Sequence, residues 1–228
     1  MIIMVGVGHV FNISQKIESI INQENPDVIG IELDEARFQA LISPQRPRRR
    51  GISIFMLLSV LQSHIAKAMG AELGGEMLSA AKMARKLDVP LAFIDMNIQI
   101  ISQKLMKELS YKEKIKLLFS LLLSFLPSRK KMDINEFQEH ETEILDAMHK
   151  NYPTLSKILI DDRNAYMANS IKELTAKFHK IIVFVGDAHI FGLQESVKPD
   201  KVVRLAELLN TDYPNYNQKF VYHYKVNN

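Results

Sequence analysis

The stretch Ile2 to Leu33, IIMVGVGHVFNISQKIESIINQENPDVIGIEL, decides the fold. Ile2 to Val5 is a continuous apolar run, the pattern of a strand covered on both faces. Glycines follow, and from about Asn12 to Gln23 the residues Ile13, Ile17, Ile20 and Ile21 recur at helical spacing. Ser14 is a capping or first-turn residue for that helix. Asn25-Pro26-Asp27 is a turn, and Val28 to Leu33 reads as a second buried strand. Strand, three-turn helix and strand make a βαβ unit, which predicts two parallel, adjacent strands.

Outward from this unit, Asp34 to Leu41 is a short helix, with Asp34 and Glu35 as N-terminal acids favoured by the helix dipole. Ser43 to Gly51 is a basic loop carrying Arg46, Arg48, Arg49 and Arg50, a solvated turn or a gate over an anionic substrate. Ile52 to Met69 and Glu76 to Leu87 are helix-patterned, and Leu91 to Ile94 is a third strand ending at Asp95. Residues from about 97 to 176 are nearly all helical in pattern, with breaks near Ser110, Pro127 to Asp133 and Tyr152-Pro153. That is a long helical insertion within an α/β frame. Lys180 to Val185 is a fourth strand, and Val202 to Leu205 and Phe220 to Tyr224 are candidate edge strands. The fold class expected is a single α/β domain, residues 1 to 228, with a mainly parallel sheet flanked by helices.

One segment of the chain resembles another. Met4 to Ile13 (MVGVGHVFNI) aligns with Phe184 to Leu193 (FVGDAHIFGL), so Gly-x-x-His occurs at Gly6–His9 and at Gly186–His189, each time where a buried strand ends. Ligands of open parallel sheets bind beyond the carboxyl ends of the strands, and glycines there let the backbone turn or approach a ligand closely. His9 and His189 are thus candidates to face one cleft. Glu32 falls near the end of the second strand, where a carboxylate among aliphatics is costly unless paired or metal-bound. Two histidines and a carboxylate form a three-ligand set for a catalytic divalent metal such as Mn, Co or Zn, with water in the open position. The bland alternatives are a core histidine and a salt-bridged acid. Asp95, on the same rim, is a further candidate, and Asp187 could orient His189 or bind water.

Composition narrows the function classes. The chain has 228 residues, 47% hydrophobic and 24% charged, enough for one full core. Its net charge of +3 does not point to nucleic acid; it suits an anionic substrate or loose attraction to a membrane surface. With no cysteine, disulfides, thiolate metal sites and cysteine nucleophiles are excluded, which fits a reducing cytoplasm. The N-terminal apolar run is too short for a signal peptide. The apolar stretch Ile115 to Leu126 is short of the ~20 residues needed to span a bilayer and reads as a buried helix. The Leu- and Met-rich insertion leaves a homo-oligomer face open, although core packing is the commoner use of such residues.

Several stretches, in order, resemble the TraB/PrgY pheromone-shutdown family. They are Gly6-x-x-His9, VIGIELDEARFQAL at Val28 to Leu41, Gly75-Glu76-Met77, Ile94-Asp95, DDRNAYMA at Asp161 to Ala168, and Gly186-x-x-His189. That family sits with the Tiki proteases, GumN proteins, ChaN-like proteins and erythromycin esterases. The resemblance spans nearly the whole chain and implies their α/β fold. His9 and His189 match the two motif histidines and Glu32 the glutamate of the ELD stretch. Glu76 matches an acid after glycine at a helix start, and Arg163 the arginine of an acidic-Arg-acidic stretch. Without the resemblance, Glu76 is an ordinary helix-start acid and Arg163 a solvated ion pair. Asn164 stands where an acid is expected, and Asp162 where glutamate is usual. The C-terminal membrane segment of many relatives has no counterpart up to Asn228. The Tiki branch implies a metal-dependent peptidase acting on small peptides, with His9, Glu32 and His189 on the metal and Glu76, Arg163 and Asp95 as catalytic candidates. The erythromycin-esterase branch implies metal-free acid/base hydrolysis, and the TraB branch inactivation or sequestration of signalling peptides.

Overall fold

The computed structural model describes residues 1–8, 13–43, 75–116 and 141–210. His9, the arginine run at 46–50, the Ile52 to Met69 segment, most of the apolar stretch after Ile115, and Phe220 to Tyr224 lie outside the described residues.

In chain order the elements are β1 (Ile2–Val7), α1 (Ser14–Glu24), β2 (Val28–Ile31), α2 (Glu35–Ile42), α3 (Gly75–Leu87), β3 (Leu91–Phe93), α4 (Ile98–Glu108), α5 (Glu141–Asn151), α6 (Pro153–Ser156), a π-helical turn (Lys157–Asp161), α7 (Asp162–Thr175), β4 (Ile181–Gly186), α8 (Asp187–Val197), β5 (Lys201–Val203) and α9 (Leu205–Asn210). The five strands form one parallel sheet in the order β3-β2-β4-β1-β5. β1 and β2 are parallel, as their apolar runs predict, but not adjacent. β4 lies between them, pairing Ile2 with Ile181 on one side and Val28 with Ile181 on the other. A crossover helix fixes only the relative direction of its two strands, so a strand from late in the chain can enter the gap.

Side-chain alternation sorts the core onto two faces. Ile3, Val5, Ile29, Ile31, Ile182 and Phe184 face one layer, with Ile17 and Ile20 of α1, Met77 and Ala80 of α3, and Leu208 of α9. Met4, Val28, Val183 and Val185 face the other, against Met167 and Ile171 of α7 and Ile190 and Leu193 of α8. α7 ends the helical insertion and is also a layer helix of the sheet. The rest of the insertion has a small core of its own, built on Met96, Ile101, Leu105, Leu155 and Ile158. Asn25, at the end of α1, takes the left-handed conformation, and Ser14 starts that helix without capping it through its side chain. Among the described residues no helix is long and apolar enough to cross a membrane.

Candidate functional site

The carboxyl ends of β2, β3 and β4 bring four of the six nominated residues together. Glu32 directly follows β2, and its backbone N–H still donates to the Phe184 carbonyl at 3.0 Å. Its side chain is 5% exposed. Oε2 accepts from the Gly186 backbone N–H at 2.5 Å, and Oε1 accepts from an Arg163 terminal nitrogen. Gly186 is where β4 turns directly into α8, and its absent Cβ leaves room for this carboxylate: a Cβ would sit 3.2 Å from Glu32 Oε2. Its φ of −54° is one that any residue adopts, so the glycine serves close approach rather than a left-handed turn.

Arg163 comes from the first turn of α7. Its Nε and a terminal nitrogen donate to the two oxygens of Asp95 at 3.0 and 2.7 Å, and it reaches the Leu159 carbonyl of the π-helical turn at 3.2 Å. Burial alone would lower its pKa; the charges of Glu32 and Asp95 outweigh this and raise it above the ordinary guanidinium range. The acids flanking it turn elsewhere, Asp162 to Lys104 at 2.5 Å and Asp161 to His149 at 3.3 Å. Asp95, 3% exposed, also accepts from Arg37 at 2.6 Å and from the Met96 N–H at 2.7 Å. Arg37 in turn holds Asp34 at 2.5 Å, the N-cap of α2. Burial opposes ionisation of Asp34, but hydrogen bonds from Arg37 and the Ile98 N–H win and lower its pKa. The result is a line of alternating charge, Asp34–Arg37–Asp95–Arg163–Glu32.

His189 lies in the first turn of α8, 6% exposed, with Nε2 3.4 Å from Glu32 Oε1 and Nδ1 2.6 Å from Asn164 Oδ1. Asp187 is engaged elsewhere: Arg204 donates to it at 3.0 and 2.7 Å, and the Leu205 N–H at 2.9 Å. The neighbour that meets the imidazole Nδ1 is thus Asn164, not the acid inside the motif. Glu76 is 2% exposed in the first turn of α3. α3 ends just before β3, so its start, ~20 Å away along the helix, lies toward the same rim as Glu32, from the layer opposite Arg163. His9 lies outside the described residues. Among those residues no three His, Asp or Glu side chains converge as a metal-ligand set.

The glycines that open the two Gly-x-x-His copies fall on adjacent strands, but one residue out of register: Gly6 pairs with Val185, and Val7 with Gly186. Equivalent glycines therefore look to opposite faces. A Cβ on Gly6 would overlap Asp187 Oδ1, so that glycine makes room for the Asp187–Arg204 pair rather than for a ligand. Arg37 falls in the Val28 to Leu41 stretch but carries no role in its motif. The available signal was its place three residues after a helix-capping aspartate, on the helix face that looks back to the rim.

Residues 1–199 match the sequence model of the TraB/PrgY/gumN family. The uncharacterized protein MJ1365 of Methanocaldococcus jannaschii is 28% identical over 86% of this chain and 53% of its own length. A TraB domain-containing protein of Mus musculus is 20% identical over 92% of this chain and 66% of its own length. The chain thus spans between about half and two thirds of these relatives.

Proposed function

The chain belongs to the TraB/PrgY/gumN family, and from that premise and the geometry of the rim we propose that it is a metal-dependent hydrolase of small peptides. The observation that carries this reading is the setting of His189, between Asn164 Oδ1 and Glu32 Oε1. An amide oxygen only accepts, so Nδ1 is the donor and Nε2 is turned toward a carboxylate oxygen. Such a pair is attractive when positive charge lies between its members, as a proton or a divalent cation. His189 and Glu32 would hold the metal, with His9 the third ligand nominated by the sequence repeat. When bound, the ion supplies Lewis acidity toward the scissile carbonyl and the attacking water.

The chain's own groups do the rest. The Gly186 N–H and Arg163 fix the two oxygens of Glu32. Arg163, anchored by Asp95, places a permanent cation at the rim where negative charge builds on the substrate carbonyl. Glu76, at the start of α3, is the candidate proton carrier. A second reading keeps the hydrolase and omits the metal. Arg163 already offsets the charge of Glu32, so His189 would act as general base with Glu32 beside it.

The test is exhaustive chelation, then add-back of Mn, Co and Zn, with hydrolysis of a mixed peptide pool as readout. Activity should vanish and return with metal, and His189→Ala and Glu32→Gln should lose metal and turnover together. Activity untouched by chelation selects the metal-free mechanism. Saturable peptide binding without turnover, whatever the metal, selects a sequestering protein.

A further inference from the structure

The residue opposite His189 is an asparagine, and it sits in a place made for it. Asn164 projects from α7 across to α8, and its Oδ1 lies 2.6 Å from His189 Nδ1. Its amide nitrogen lies against Gly192, where a Cβ would overlap it. Gly192 is one turn beyond His189 on α8, so the clearance and the imidazole share one strip of helix surface. The nearby charges make the choice of an amide meaningful. Along Asp34–Arg37–Asp95–Arg163–Glu32, three carboxylates face two guanidiniums. An acid at 164 would add a further negative charge beside a line that already carries an excess of one. The amide makes the same hydrogen bond to Nδ1 without that charge.

We propose that Asn164 is a positioning residue that locks His189 in the Nδ1–H tautomer, so that Nε2 is the nitrogen presented toward Glu32, and that Gly192 is the gap that admits it. The purpose assigned to this lock rests on the hydrolase reading; the lock itself does not. Ring orientation and tautomer follow from the hydrogen bond made by the nitrogen that does no chemistry.

The experiment is ¹⁵N NMR of the imidazoles in the whole, chelator-treated protein, well above the ordinary imidazole pKa of about 6.5, where the neutral tautomers are read directly. His189 is assigned by the signal lost in His189→Gln. In the unsubstituted protein Nδ1 should give the protonated, pyrrole-type resonance and Nε2 the pyridine-type one. Asn164→Asp should keep that pattern, Asn164→Leu should lose it in favour of a tautomer mixture, and Gly192→Ala should shift it toward the mixture by displacing the amide. A purely structural asparagine would lower the melting temperature and leave the His189 tautomer unchanged in Asn164→Leu; that result overturns the proposal, as does an Nε2–H tautomer in the unsubstituted protein. The readout needs no turnover. A locked tautomer in a protein that hydrolyses nothing removes the hydrolase reading and leaves the lock, and an active enzyme whose tautomer ignores residue 164 does the reverse.

Discussion

Arg163 is the residue on which the rim's electrostatics turn. It faces Glu32 and Asp95 at once, and both carboxylates are nearly inaccessible to water. Removing one partner from a buried ion pair costs more than the pair is worth, because the survivor stays buried and uncompensated. Arg163→Gln should therefore destabilise the fold by ~3–5 kcal/mol, read from urea unfolding at neutral pH. A loss below ~1 kcal/mol would place the arginine among ordinary surface ion pairs and undo the account of the charged line. At this scale Glu32 was legible in the sequence because a carboxylate in an aliphatic run is anomalous wherever it occurs. Arg37 was not, since an arginine in the first turn of a short helix is unremarkable until its partner Asp95, far along the chain, is brought beside it.

Among the elements, the junction of β4 with α8 sets the geometry, because no loop separates them. α8 begins at Asp187, which is tied to Arg204 and to the first N–H of α9, so one carboxylate links the helix start to the strand at the far edge. Gly6 on β1 is the space this carboxylate fills. Gly6→Ala should cost roughly 1–3 kcal/mol, as overpacking a filled site does. In an Asp187→Ala background the same change should cost much less, since the overlapping oxygen is gone; additive losses in a double-mutant cycle would refute the steric explanation. The apolar runs made the strands recognisable, and Ile13, Ile17 and Ile20 made α1 recognisable. The equivalence of the two Gly-x-x-His copies misled in one respect. Pairing register is a property of two strands together, and the one-residue offset that sends Gly6 and Gly186 to opposite faces is not written in either copy.

For the whole molecule, the strand order matters most. β4 is hydrogen-bonded along both edges, and Ile181 to Val185 are fully buried. Its amides should exchange with deuterium most slowly in the protein, near the rate set by global unfolding, while those of α5, over the insertion, should exchange far sooner. Equal protection of the two would contradict a structure centred on this strand. The central place of β4 could not be read from the sequence, because a buried-type run shows that a strand is covered, not which strands it lies between.

That order has a consequence for the nascent chain. Among the described residues β1 pairs with β4 and β5, and β2 with β3 and β4, so the two early strands are joined through β4. As this polypeptide is extended, β1 and the β2–β3 pair keep open edges until residue 186 has emerged and β4 can enter between them. The same step that joins β1 to β2 through β4 also delivers the Gly186 N–H to Glu32 and brings His189 with it. A chain released early would lack both the fold's centre and the chemistry at its rim.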